Sequence, residues 1–485
     1  MAKPTNVSRK PNIGRVILHE ALFALAIALF FVVLVMIAMG YRLRRSESGL
    51  PVVERTALLR VGSYPTSAHI FLDGADTSRK TTLSSQRLVI SAGSHSLKVT
   101  RDGYQTWQHD FTVAEADITW FDYIQLIPTD RSGDVVQSVP STTEQAIWRS
   151  PLGERALVFT PARKSDPAQI NIISLSPSST KNTVANLTKD MTQPQLIAWA
   201  KDDGMAFLCA NECFLLDLDH SRATAVDLPI KRNETLLDIA FINTRTLIAA
   251  TSERAFIYDT TTKTAQDLPV AMPNENLPEH LVAATSDLTL LYYIATTPDS
   301  STNAPKTTYH LATVNTSGAY HDIYTDDTPF EFTATHYLND TVLVIANRSR
   351  LKIYFGNASS LFGGDSEFHL QDEYDLPTER SPIIADGRFI IVENGFAVDL
   401  ERHTAAAFDN NCSGTTWQKL SNAQLYCPNN NELLIKDFDD TNQMVINLPD
   451  GVSAISPASL VNRRTLYYWT NEDSTNTLQL RQLKL

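Results

Sequence analysis

Hydrophobic and polar positions fall into three regimes along the chain. From Ala21 to Gly40 the run "ALFALAIALFFVVLVMIAMG" carries no charge and no polar stripe. A core helix would keep a polar face, so this pattern predicts a helix of about 20 residues able to cross roughly 30 Å of hydrocarbon. From Leu58 to Ile127 apolar residues recur at every second position, the period of half-buried strands. From Thr129 to the C-terminus no amphipathic helix is visible, and short strand-like runs repeat at intervals of roughly 40 residues, the spacing of four-stranded units.

The flanks of the apolar run bear on its role. It exceeds the roughly 7–15 residues of a signal-peptide core, and Arg42, Arg44 and Arg45 follow it directly. An uncleaved anchor is therefore expected at 21–40, set in the lipid bilayer, with a short cytoplasmic tail at 1–20 and a linker at 41–57. Lys3, Arg9, Lys10 and Arg15 precede the run against three arginines after it, a small bias toward a cytoplasmic N-terminus.

In the second regime turn signals separate the strands. "LDGAD" and "TRDGY" contain Asp73-Gly74 and Asp102-Gly103, where glycine accepts the positive φ of a tight reversal. The expected product is a small antiparallel β-sandwich of six or seven strands. The order "VGSYPTSAHIFLDG…SAGSHSLKVTRDGYQTWQHDFTV" resembles a PEGA domain, with its Pro-containing turn, strand-ending Asp-Gly, Ala-Gly-x-His and Gly-Tyr-x-x-Trp landmarks. One landmark departs: Ser67 stands where the family's turn has glycine. The resemblance covers 58–128 and implies an extracytoplasmic spacer without chemistry of its own. Gly103 is then a turn residue, and Tyr104 and Trp107 cover the end of a small core; the competing role for Trp107 is stacking on a glycan.

In the third regime, "FLLDLDHSRATAVDLP", "AFIYDTTTKTAQDLP", "GFAVDLERHTAAAFD" and "LLIKDFDDTNQMVINLP" each read as strand, Asp-rich hairpin, strand and exit. Unit starts fall near Gln145, Gln195, Leu236, His280, Phe332, Pro382, Thr415 and Val452. Residues 129–485 are thus expected to form a β-propeller resembling WD40-like propellers, with eight blades; seven is the alternative because the unit at 382–409 is short. The last unit holds only three strands, and Asp134–Val139 is expected to supply the fourth, which removes an open edge. The fold class as a whole is all-β behind one transmembrane helix.

All four cysteines lie in this region. "FLCANECFLL" puts Cys209 and Cys213 at the mouth of a short hairpin, and Cys412 and Cys427 bracket the first two strands of another unit. Two local disulfides, Cys209–Cys213 and Cys412–Cys427, are expected, and with them an oxidising compartment. Both would pin loops at one end of the disc, where the insertions 160–169 and 295–306 also fall; loops on a rigid scaffold are the expected place for binding.

Without residues 1–45 the chain keeps 34 basic against 53 acidic residues, a net charge of −19. That field repels phosphate backbones, so no nucleic-acid partner is expected. No catalytic motif, cofactor loop or metal-ligand spacing is found. "DLDH" and "DFDD" raise calcium but lack the glycine and terminal glutamate of a calcium loop. The expectation is a non-catalytic membrane-anchored envelope protein presenting a propeller to a protein or glycan. The alternative is a glycan-active extracellular enzyme whose site is assembled from distant loops.

Overall fold

In a computed structural model, residues 13–484 are described apart from several stretches, the longer ones at 46–50, 176–180, 299–304, 357–367, 377–382, 409–417 and 458–464. The chain divides into two compact units, residues 1–126 and 127–485.

The first unit opens with a helix, Ile13–Ala38, which begins well before the expected anchor. Its side chains are described over 22–36, nearly all of them exposed. Among the described residues no helix is long and apolar enough to cross a membrane.

The segment 41–57, expected as a linker, is instead mostly strand. Tyr41–Arg45 pairs antiparallel with Pro51–Arg55, the start of a strand that continues to Tyr64. The β-branched pair Val52-Val53 and the alternation of "YRLRR" favour a ladder over an open spacer. Two four-stranded sheets then form a sandwich. One joins 51–64 to 41–45, to 86–91 and, in parallel, to 118–125; the other runs 75–80, 69–72, 93–100, 107–113 across its width.

Trp107, Leu59, Val61, Ile70, Leu97 and Val99 form the fully buried centre of this sandwich. The strand 107–113 turns Trp107, His109 and Val113 inward at period two, with Phe111 half-buried beside them. Trp107 stacks on His109 at 5.7 Å, and Phe121 closes on His109 at 4.8 Å. With no exposed surface, Trp107 is a core residue, which removes the glycan-stacking role. Gly103 holds φ +79° in the turn before it. Ser67 takes φ 67°, a left-handed position that glycine occupies with less strain.

In the second unit, eight four-stranded antiparallel sheets appear among the described residues, beginning at Ile147, Leu196, Leu236, Val282, Phe330, Ile383, Gln418 and Val452. The last takes its outer strand from the other end of the unit: Asp134–Pro140 pairs with Thr477–Lys484, Val139 opposite Leu478. Strands inside each sheet are covered on both faces, as Thr246–Thr251 and Phe389–Val392 are throughout. This is why "TLIAAT" and "FIIV" read as continuous apolar runs. Outer strands such as Thr264–Asp267 are exposed and polar.

Packing between sheets runs in a closed circle. Leu157, Phe159 and Ile170 of the first sheet meet Leu208 and Phe214 of the second. Phe207 and Cys209 meet Phe241 and Phe256 of the third, and one further core joins the third, fourth and fifth. Val344 and Ile353 pack on Ile390 and Val398 of the sixth sheet, and Phe389 reaches Phe438 of the seventh at 4.8 Å. Tyr426 and Ile435 pack on Tyr468 of the eighth, whose Trp469 and Leu480 meet Val158 and Ile173 of the first. First strands of successive sheets, from 196–199 through 383–386, also touch one another. Sheets packed face to face in a ring, first strands innermost, are a β-propeller arrangement.

Candidate functional site

Up-and-down sheets place all hairpins between first and second and between third and fourth strands at one end of the ring. The hairpins between second and third strands, and the passages to the next sheet, lie at the other.

The first end is occupied by structural carboxylates. The third strand of several sheets finishes on Asp, and that Asp caps its own turn. Asp259 accepts the N–H groups of Thr261 and Thr262 at 2.7 and 2.9 Å, which hold its carboxyl below the usual range. Asp217 accepts the His220 N–H at 3.1 Å and the His220 ring at 2.9 Å. Burial raises its pKa, but these bonds outweigh it and the net shift is downward. Asn315 does the same for Ser317 and Ala319, both at 3.0 Å. Asp399, fully buried, takes the Glu401 N–H at 3.0 Å and both arms of Arg388 at 2.7 Å. The "DLDH" turn therefore spends its carboxylates on internal donors, Asp219 pairing with Arg155 of the preceding sheet. In "DFDD", Asp439 and Asp440 lie outside the described residues.

Three of these turns also clip neighbouring sheets together. Ser221 donates to Thr183 at 2.6 Å, Gln266 to the Ser317 carbonyl at 3.1 Å, and His403 meets Asp372 at 2.7 Å.

The opposite end carries the predicted features. Cys209 and Cys213 are opposed in the ladder with Cα atoms 4.1 Å apart, and they are bonded. Cys427 is also disulfide-bonded; Cys412 lies outside the described residues. Four passages between sheets bury one apolar residue after the outer strand and fasten its N–H to a carbonyl at or just before the third strand: Leu187 to Ala168, Leu268 to Ala255, Leu376 to Ser349, Phe408 to Gly395, all within 2.9 Å. Leu268 and Leu376 are the leucines of two "DLP" exits. Within the expected loop 295–306 the described residues, 295–298 and 305–306, are strand, and 299–304 lie outside the described set. Thr289–Pro298 and Pro305–Val314 stay paired out to Pro298 opposite Pro305, because the Thr-rich flanks continue the ladder. The insertion 160–169 is a loop as predicted at 161–168, residues 163–165 lying outside the described set.

Also at this end, a basin of about 400 Å³ opens on the fifth sheet, lined by Asp326, Asp327, Asn347, Arg348, Ser349, Arg350, Lys352 and Glu373. The tight turn 348–349 forms its lip, with Arg348 at φ 51°. Asp326 anchors the floor. It receives the Tyr324 hydroxyl at 3.0 Å, the Thr328 N–H at 3.0 Å and the Asn347 amide at 2.5 Å. Burial pushes its carboxyl up, but the Thr328 and Tyr324 donors dominate and the net shift is downward. Arg348 meets Asp327 at 3.1 Å; Arg350 meets Glu373 at 3.0 Å and Asp375 at 3.3 Å. Lys352 lies 5.7 Å above the Tyr324 ring, with no carboxylate in ion-pair range among the described residues. Sequence reasoning missed this cluster. Its members come from two sheets and converge only through register, and the "NRSR" turn was the one visible sign.

A second polar cluster sits on the flank of the fourth sheet. Asp322 accepts the Tyr293 hydroxyl at 2.6 Å and faces the His310 Nδ1 at 3.1 Å, while Tyr293 and His310 stack at 4.8 Å. Burial first and Asp322 second push the Tyr293 phenol well above its usual range, so it serves as a fixed donor. No group of three or more His, Cys, Asp or Glu side chains placed to hold a metal occurs among the described residues.

Comparison with known proteins decides the identity of the sandwich. Residues 56–126 match the PEGA domain family. This segment is a PEGA domain. Its landmarks explain one another: the His of Ala-Gly-x-His, His95, lies 2.8 Å from Asp73 of the Asp-Gly turn, and Asp73 also takes the Ser96 N–H at 2.9 Å. No curated protein matches the chain by sequence. Among solved structures, the chain is similar to the C-terminal WD40 domain of Sif2 (11% identity, 73% of this chain and 99% of that one, TM-score 0.45). BamB from Moraxella catarrhalis matches at 11% identity over 72% of this chain and 98% of that chain, TM-score 0.43. Porphyromonas gingivalis dipeptidyl peptidase 4 matches at 11% identity, 73% of this chain and 62% of that one, TM-score 0.45. These are likenesses of fold alone; the ring here stands on its own packing.

Proposed function

We propose that this is a non-catalytic, membrane-anchored, extracytoplasmic envelope protein, in which the PEGA domain is a spacer and an eight-bladed propeller presents a binding surface to a protein or glycan. The observation that carries the reading is the end of the ring bearing the Cys209–Cys213 hairpin and the fifth-sheet basin. Disulfides persist in oxidising compartments, and this one stiffens a loop at that end. The uncharged run 21–40 supports anchoring on sequence grounds. The opposite end supports a non-catalytic reading, since its carboxylates are spent on turns and sheet clips.

Protease shaving of intact cells, with peptides mapped under non-reducing conditions, tests this. Release of propeller peptides containing linked Cys209–Cys213, with the 21–40 segment retained in the membrane fraction, is expected. Propeller peptides that stay protected after every outer layer is opened, with free thiols, would overturn compartment and display together.

A further inference from the structure

We infer that the fifth-sheet basin is a docking site for an extended acidic segment of a partner protein. The inference rests on reading the propeller as a binding module, but on neither the anchor nor the compartment.

The basin's lining is charge-balanced, three cations against three carboxylates, so the sign of its ligand is set by which charges are already engaged. Asp326 is committed to Tyr324, Thr328 and Asn347 and has little capacity left for a cation. Asp327 faces Arg348, while Glu373 and Asp375 both face Arg350. Of the charges lining the basin, Lys352 alone has no carboxylate in ion-pair range among the described residues. Both arginine pairs are open to solvent, Arg348 at 62% and Arg350 at 54% side-chain exposure. Such exposed pairs contribute little, so a ligand carboxylate displaces the internal partner at small cost. The guanidinium fork then receives it through two parallel bonds.

Spacing sets the ligand's form. Arg350 and Lys352 are two apart on one strand, hence on one face and about 6.6 Å apart at the strand rise per residue. Carboxylates on alternate residues of an extended peptide have the same repeat. Arg348 continues the series from the turn. It occupies a left-handed position that glycine or asparagine fills with less strain, so the turn geometry itself does not call for arginine. The basin's volume is that of a few extended residues.

The test is fluorescence anisotropy with purified full-length chain and a labelled octapeptide of alternating Asp and Ser; the control peptide has Asn for Asp. Saturable binding that weakens with salt is expected, with the control at least about tenfold weaker. The double variant Arg348→Glu/Lys352→Glu, checked for fold by near-UV circular dichroism, loses at least about tenfold in affinity. Lys263→Glu, in a turn at the other end of the ring, leaves it unchanged. Equal binding by the double variant, or by the Asn peptide, overturns the site. Competition by an oligouronide as effective as the peptide itself overturns the choice of a peptide partner. In either case a ligand held elsewhere on the same end would still support the display reading.

Discussion

The PEGA domain carries a pH-dependent lock that follows from one geometry. Both nitrogens of His95 face acceptors: the Asp73 carboxylate at 2.8 Å and the Ser91 carbonyl at 2.9 Å. A neutral imidazole donates only one proton, so the arrangement is satisfied only by the imidazolium. Burial alone lowers the His95 pKa; the bonds to Asp73 and Ser91 outweigh it and raise it above the ordinary value near 6.5. Asp73 shifts the opposite way, burial raising it and the His95 and Ser96 bonds taking it below its ordinary value near 3.8. A raised histidine stabilises fully below its unfolded value, and this is lost as pH rises through the folded one. A lowered carboxyl stabilises above its unfolded value, and this is lost as pH falls through the folded one. The lock is therefore complete between roughly pH 4 and 6.5. A charge-assisted bond contributes about 1.5–3 kcal/mol; Asp73 is 49% exposed, so solvent screening reduces this to about 1 kcal/mol. Hydrogen exchange on the full chain measures it, following peptides across 86–113 with intrinsic rates corrected. Protection is expected to fall about fivefold between pH 6 and 9, and Asp73→Asn to flatten that dependence. Protection independent of pH in the wild-type chain, or an unchanged slope in Asp73→Asn, would refute the reasoning.

Other outcomes follow from the packing. Trp107→Ala should cost about 3–5 kcal/mol, read as loss of exchange protection across 56–126 while propeller peptides keep theirs. Arg388→Gln leaves the fully buried Asp399 without its bidentate partner and should cost about 3–5 kcal/mol by urea denaturation, whereas Arg388→Met with Asp399→Leu should cost much less. Cys209→Ser opens a short loop and should cost about 2 kcal/mol, seen in the same melts as a lower midpoint. Val139→Asp puts a charge into the core between the eighth and first sheets and should raise proteolytic cutting near the C-terminus.

Legibility in the sequence tracked how local each determinant is. The Asp73-Gly74 and Asp102-Gly103 turns, the hairpin at Cys209 and the unit starts are set by neighbours a few residues apart, and pattern alone located them. Even the borrowed strand at 134–140 was visible, because a three-stranded last unit demands a partner. The segment 41–55 was misread because a short polar-flanked stretch reads as a linker unless its pairing partner is known. The flanks 295–298 and 305–306 of the expected insertion are strand for the same reason, composition being weaker than a continuing ladder. The basin and the Tyr293–Asp322–His310 cluster were invisible because their members are brought together by cross-strand register.

The strand that closes the ring also determines how the propeller would bear a pull. Anything attached through the N-terminal side of the chain enters the propeller unit at Ile127, buried against Tyr426 and Tyr468, and then runs as the strand Asp134–Pro140 bonded along Thr477–Gln482. Tension along that strand loads its hydrogen bonds in parallel, all sharing the force, where a strand pulled from its side would release them one at a time. The C-terminal strand thus serves as the fixed grip, and its loss would both open the ring and detach the tether's hold.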